Sequence, residues 1–577
     1  MAWAMAMVAV AVRSVTMGQP TPAPTSACIE PGCCHSTCKA WTPPPPHGPI
    51  CKECPNIVFS LTDDQDVELG GWDPMRQTHE LLQRRGAELI NWRIHTPICS
   101  PSRSEAVSGR YFHNIKSRLA VPPLSLQPAA TGHVDGNLYL NDSFGVHLRA
   151  SQGYNVGVFG KTNFNTCQGF DRWFEGPGGA NASYGGTWHD NESPDFKYIG
   201  TSKDYSTSLM ANRSIEWLRR PNPEGRPFFL YLAPHCPHDP ADPADWYADA
   251  CEGTVARRLP NWNWSHSSFH ELVAKQPPLT DSDAILIDGF ARRRCQCLMS
   301  VDDAHAGIVE TVKKLGLLDK TYFIVSSDHG YNLGHHRIPT NKFLPFEHAL
   351  RIPMLVVGPG IPAGSQNAVL GTNVDLAPTW LAMAGLPTPP TMDGRSILSQ
   401  LVPEANENAL PPPTRGRVQK ERAALRPGKP FRTESFHQYY NQGGPSPMFP
   451  QGCLQNTSSG FRPCEGWSPG STTNPTQPAG GFGFQRFPED AGHNATVRPL
   501  DDYSNTYIGL HVSDPTIGSG EYKYLEHQYV CTTEQILAKA CFSNVDLYQL
   551  FDLAADPYEL HNVYASTPQT IRDALAA

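Results

Sequence analysis

The chain has 577 residues, a formal net charge of −9 and 39% hydrophobic residues. That length and apolar content support one large domain with a smaller one, and the acidic balance argues against a nucleic-acid partner. It offers no basic stripe for a membrane surface, and 55 prolines with 48 glycines require long loops.

The first dozen residues, MAWAMAMVAVAV, are almost wholly apolar and too short to span a bilayer. They read as the core of a signal peptide over residues 1–18, with a buried N-terminal helix as the alternative. Residues 19–54 hold Cys28, Cys33, Cys34, Cys38, Cys51 and Cys54 around the run Pro43 to Pro46. This segment reads as a disulfide-stapled module, with a zinc knuckle as the alternative. The chain has sixteen cysteines, and N-glycosylation sequons stand at Asn141, Asn181, Asn191, Asn212, Asn263, Asn456 and Asn494. With the leader, these features imply an oxidising location: secreted, extracellular or lysosome-like.

From Asn56 strands and helices alternate. Asn56–Thr62, Tyr154–Phe159, Pro227–Ala233, Thr321–Ser326 and Pro353–Val357 read as strands. Met75–Gly86, Ala304–Leu315 and Asn373–Ala384 read as helices. Near-continuous apolar strands separated by helices predict an α/β fold, with a largely parallel sheet sandwiched by helices over 55–401. Residues 402–500 read as a Pro/Gly-rich insertion, mostly loop. Strand patterns at Tyr507–Val512 and Tyr522–Tyr529 predict a small antiparallel C-terminal subdomain over 501–577.

The most informative run is Cys99-Ser100-Pro101-Ser102-Arg103, leading to Gly109-Arg110. Pro101 suits a first helical position and Gly109 a helix end. The positive end of that helix would then face whatever Cys99 attacks. Alone, the run fits equally a half-buried cysteine at an ordinary helix start. Asp63-Asp64 follows the first strand, and adjacent carboxylates there repel unless a cation lies between them; a solvated turn is the alternative. Asp328-His329 follows another strand. Lys161 follows Gly160, Lys342 lies in PTNKFLPFE, and His235 lies in APHCPHDP after PFFLYLA. His238, nearby, reads as a loop histidine.

The cysteine run resembles the signature C-x-P-S-R-x-x-x-L-T-G-R of the type I sulfatases, with Val107 and Ser108 in place of Leu and Thr. L-T-D-D-Q, A-P-H-x-P, the Gly-Lys lysine, Val301-Asp302-Asp303, Arg351-Ile-Pro353, DGRS at 393–396 and the terminal DPYELHN resemble further landmarks of that family. TDDQD, GGWDPM, GRYFHN and SNTYIGL are similar to the branch of N-acetylglucosamine-6-sulfatases and endosulfatases. Asn163 stands where some members have a histidine.

The resemblance implies an alkaline-phosphatase-like fold and hydrolysis of a sulfated sugar or aryl sulfate. It implies that Cys99 is converted to formylglycine by a formylglycine-generating enzyme, and that the hydrate attacks sulfur. One Ca2+ would be bound by Asp63, Asp64, Asp328 and His329 together with the modified Cys99. Arg103, Lys161, His235 and Lys342 would complete the catalytic set, with His235 as proton donor. Conversion of Cys99 leaves an odd number of cysteines, so one thiol is expected to stay free or to pair between chains, with Cys236 a candidate. No membrane span is expected. A phosphatase or phosphonate hydrolase of the same superfamily, or a non-catalytic secreted glycan-binding protein, are the competing readings.

Overall fold

A computed structural model describes residues 46–115, 140–162, 169–176, 186–198, 204–425, 428, 430–439, 454–457, 460–463, 505–528 and 542–576. The expected leader, Cys28, Cys33, Cys34, Cys38 and Asn163 lie outside these residues, as does most of 440–500.

Among the described residues, ten strands form the main sheet. Its centre is β1 (Asn56–Thr62), β2 (Asn155–Gly160), β3 (Phe228–Ala233) and β4 (Thr321–Ser327), side by side in the order β4-β1-β3-β2 and all parallel. β5 (Met354–Val357) pairs with β4 antiparallel, so the sheet is mixed at that edge. The segment between β4 and β5 holds only a four-residue helix, Glu347–Leu350, and no long crossover helix.

The period-2 alternation of β1 explains why both faces are buried. Ile57, Phe59 and Leu61 enter one apolar cluster, whereas Val58 enters the other. Four helices cover the first face: α1 (Cys99–Ser108), α2 (Phe144–Gln152), α6 (Leu376–Met383) and α7 (Pro412–Ala424). Trp380 of α6 is fully buried there against Phe59, Phe144 and Phe229, with ring centroids 4.7, 4.8 and 5.2 Å away. The second face is covered by α3 (Ser206–Leu218) and α4 (Asp281–Lys314). The four-residue helix Glu347–Leu350 is α5.

Several elements differ from the sequence reading. Helix α4 begins at Asp281, more than twenty residues before Ala304, because Thr280 and Asp283 form a capping box at its start. Residues Met75–Gly86 divide into a short helix, Arg76–Leu81, and a 3-10 turn, Gln83–Arg85, and Gly86 begins a strand that pairs with β5 on one side and Ser365–Asn367 on the other. Beyond residue 402, α7 packs on α6, and β6 (Glu434–Tyr439) joins the C-terminal sheet. That sheet is antiparallel, in the order β6, β7 (Tyr507–Ser513), β8 (Glu521–His527) and β9 (Leu547–Asp552).

Cys236 is not free: it is disulfide-bonded to Cys297 of α4, with Cα atoms 5.9 Å apart. The choice of Cys236 as the odd thiol fails because α4 brings Cys297 against the segment that follows β3, and parity in the sequence says nothing of that packing. Cys251 bonds to Cys295 and Cys51 to Cys54, which leaves Cys99 as the free cysteine among the described residues. Of the sequon asparagines, Asn212 is exposed on α3. Asn191 is tied to Trp173 N and Asp171 O, and Asn263 to the backbone of Leu279. No described helix is long and apolar enough to cross a membrane.

His305 of α4 is buried against the sheet, with Nδ1 2.9 Å from Thr78 Oγ1 and Nε2 2.7 Å from Ser60 Oγ. Burial lowers its imidazole from 6.5 to about 4, against an opposing pull from Asp302. Between these values the unfolded chain binds the proton and the folded one does not. His305 therefore contributes stability that is full above about pH 6.5 and lost as pH falls through about 4, a change of about 3 kcal/mol. The expected result is a denaturant midpoint that drops between neutral pH and pH ~4.5, with a smaller drop in His305→Gln.

Candidate active site

The four central strands are parallel, so their carboxyl ends share one edge, where open α/β sheets build their sites. β1 delivers Asp63 and Asp64, β2 Lys161, β3 His235, and β4 Asp328 and His329. Gly160 permits the turn at the end of β2: its φ is +108°, and a Cβ would lie 2.2 Å from Ala233 O. Lys161 N then bonds Ala233 O at 2.7 Å.

Helix α1 brings the cysteine to the same edge. Ser102 N bonds Ile98 O at 3.1 Å to close the first turn, and Gly109, at φ +66°, ends the helix in the left-handed region. Pro101 is the third helical residue, still among those whose N–H has no partner within the helix. Val107 and Ser108, the departures from the family signature, are fully buried, and Ser108 Oγ donates to Ser104 O at 2.6 Å.

Cys99 Sγ lies 3.4 Å from Asp63 Oδ1 and 3.5 Å from each of His329 Nε2, Lys161 Nζ and Lys342 Nζ. Lys161 Nζ pairs with Asp63 Oδ2, and Lys342 Nζ donates to Asp64 Oδ1 at 2.6 Å. Arg103 is fully buried; its Nε donates to Asp328 Oδ2 at 2.9 Å and its Nη1 to Lys161 O at 2.6 Å. His235 Nδ1 is 3.5 Å from Asp63 Oδ2. All nine residues singled out in the sequence are thus buried together.

Burial sets the protonation of the cysteine. It pushes the Cys99 thiol up to about 12, reinforced by Asp63 and opposed by Lys161 and Lys342. The unmodified side chain is therefore a thiol at neutral pH and a poor nucleophile. Burial opposes ionisation of the aspartates too, but the lysines prevail. Lys342 leads in holding Asp64 at about 2, and Lys161 in holding Asp63 well below the usual carboxylate range. Burial also lowers His235, with Lys161 adding to the effect, and it lowers His329.

The carboxylates of Asp63, Asp64 and Asp328 are the oxygen donors that a hard divalent cation takes. Asp63, Asp328, His329 and Cys99 place one ligand atom each within 4.8 Å of one another. Asp64 Oδ2 is buried without a hydrogen-bond partner, an acceptor that a cation would satisfy.

Two further residues belong to the site. His238 is buried, its ring 4.5 Å from that of His235, and it forms a second potential ligand group with Asp63 and Asp64. The sequence reading of His238 as a loop histidine is corrected here: the chain turns back after Pro237, where His238 N bonds His235 O at 2.9 Å. Arg294 of α4 donates to Asp64 O at 2.8 Å and Asp66 Oδ1 at 2.6 Å, which holds the carboxylate turn from beneath. No local pattern marks it within the run Arg292-Arg293-Arg294.

An alkaline-phosphatase-like sheet with this constellation at its strand ends defines an α/β protein suited to holding an anionic group beside a cation. A sulfatase family model matches residues 55–386, and the chain belongs to the sulfatase family. Over 355 residues it is 34% identical to the extracellular sulfatase SULF-1 homolog of Drosophila melanogaster, covering 60% of this chain and 31% of that protein. Over 358 residues it is 31% identical to human N-acetylglucosamine-6-sulfatase, covering 60% of this chain and 64% of that one. The chain thus spans less than two thirds of these relatives' length. A solved protein in complex with its substrate, D-glucosamine-2-N,6-O-disulfate, superposes with a TM-score of 0.60 at 17% identity, covering 91% of this chain and 96% of that one. The last comparison concerns the fold alone.

Proposed function

We propose that the protein is a sulfuric ester hydrolase acting on a sulfated amino sugar, with Cys99 converted to formylglycine and calcium held by Asp63, Asp64, Asp328 and His329. The observation that carries this reading is the Cys99 sulfur, set within 3.5 Å of two lysines, an aspartate and a histidine. The amino-sugar preference rests on the names of the human relative and of the substrate in the solved complex. The expected location is secreted, extracellular or lysosome-like, and the formylglycine-generating enzyme is the expected maturation partner.

When present, the two groups supply a paired-hydroxyl nucleophile and a Lewis acid. The chain's own residues do the rest. Lys161 and Lys342 neutralise charge on the sulfate oxygens, in a buried setting where each contact is worth more than in water. With the carboxylates engaged by a cation, both ammonium groups have their charge available for sulfate. Arg103 fixes Asp328 and the Lys161 backbone in register. His235 donates a hydrogen bond from its ring N–H to the ester oxygen as it leaves.

The test compares kcat/KM for an aryl sulfate and an aryl phosphate. The proposal expects the sulfate to be preferred, turnover to vanish on chelation, and calcium to restore it. A preference for phosphate supports the phosphatase reading, and tight glycan binding without turnover supports the binding-protein reading.

A further inference from the structure

Asn505 and Thr506 lead into Tyr507, the first residue of β7 in the C-terminal sheet, and the side chains of Asn505 and Tyr507 reach the loop that carries Lys342. Tyr507 Oη donates to Phe343 O at 3.1 Å, and Asn505 Nδ2 donates to the same carbonyl at 3.3 Å. On the other side of the lysine, Asn332 donates to Asn341 O from its backbone N at 2.8 Å and its Nδ2 at 2.6 Å. His348 Nε2 is 2.6 Å from Asn332 Oδ1 and fixes that amide. Both carbonyls flanking Lys342 are therefore held, one from the main domain and one from the C-terminal sheet.

The held backbone is not a relaxed one. Asn341 has φ +88° and Phe343 φ +79°, left-handed values that a phenylalanine rarely adopts. A strained pair persists only where its surroundings over-determine it. Further along, Lys523 Nζ of β8 donates to Pro345 O at 2.9 Å and pairs with Glu347 at 2.6 Å and Glu559 at 2.7 Å. On this loop, held in part from the C-terminal sheet, Lys342 Nζ lies 2.6 Å from Asp64 Oδ1 and 3.5 Å from Cys99 Sγ.

We propose that Asn505 and Tyr507 are positioning residues for Lys342, so that the C-terminal sheet sets the sulfate-binding end of the site without touching substrate. The inference rests on the reading of Lys342 as a sulfate-binding group.

A double-mutant cycle tests it. Asn505→Ala/Tyr507→Phe is made in the wild-type and Lys342→Ala backgrounds. Both kcat/KM for an aryl sulfate and the Kd for inorganic sulfate are measured, with thermal midpoints in parallel. In the wild-type background both constants worsen by about tenfold, the scale of one or two lost hydrogen bonds. In the Lys342→Ala background they do not worsen further. If the double variant does not fold, Tyr507→Phe alone removes one hydroxyl and carries the same cycle. Equal losses in both backgrounds overturn the inference, as does a lower midpoint with both constants unchanged. Coupled sulfate binding with no aryl sulfate turnover rejects the hydrolase reading and keeps this one; turnover with additive losses does the reverse.

Discussion

Cys99→Ser lowers kcat by at least about a thousandfold while the folded state persists. On the proposed mechanism the substitution removes the group that forms the covalent intermediate, after which residual catalysis would come from binding and charge alone. Serine is the informative replacement because it nearly keeps the volume at the start of α1. The surrounding contacts, Lys161 to Asp63 and Lys342 to Asp64, do not depend on sulfur. A hydroxyl left unmodified lacks the second oxygen that a formylglycine hydrate would supply, so sulfate would remain trapped on it. The measurement is steady-state turnover of an aryl sulfate beside a thermal melt. Wild-type turnover in the serine variant would remove Cys99 from the chemistry.

Arg103→Met is expected to cost both stability and activity. The guanidinium is fully buried and has no route to water. Its Nε and Nη2 both lie 2.9 Å from Asp328 Oδ2, and its Nη1 satisfies Lys161 O. Methionine fills much of the volume but leaves the Asp328 carboxylate buried without its cation. Removing one partner of a buried pair costs about 3–5 kcal/mol. Urea denaturation is the measurement for stability, and turnover should fall with it because Asp328 and Lys161 both lose their register. Arg103→Lys should recover only part of either, since an ammonium cannot make the forked contact. A midpoint unchanged in Arg103→Met would show that Asp328 is held by other means.

The parts of the site that were legible in the sequence are those where chemistry sits at a strand end. Asp63-Asp64 after NIVFSLT and Asp328-His329 after TYFIVSS each combine a local apolar run with polar residues at its close. A parallel sheet turns such runs into one shared edge. Cys99 was legible for the same kind of reason, with Pro101 and Gly109 marking its helix. Lys342 has no such marker: the carbonyls beside it are held by Asn332, Asn505 and Tyr507, residues far apart in sequence whose meeting is a long-range event. Arg294 was hidden because three successive arginines look alike in sequence, whereas the rotation of α4 buries one of them. The Cys236–Cys297 bond depends on α4 bringing Cys297 against the segment that follows β3. Helix α7 was obscured by its prolines, which occupy the first turn, where a missing N–H costs nothing.

The most direct test of the account is the mass of the peptide containing Cys99, taken by tandem mass spectrometry from secreted protein that turns over an aryl sulfate. The account predicts an aldehyde at position 99 in place of the thiol, in a fraction that rises with specific activity across preparations. An intact thiol throughout fully active protein would contradict it.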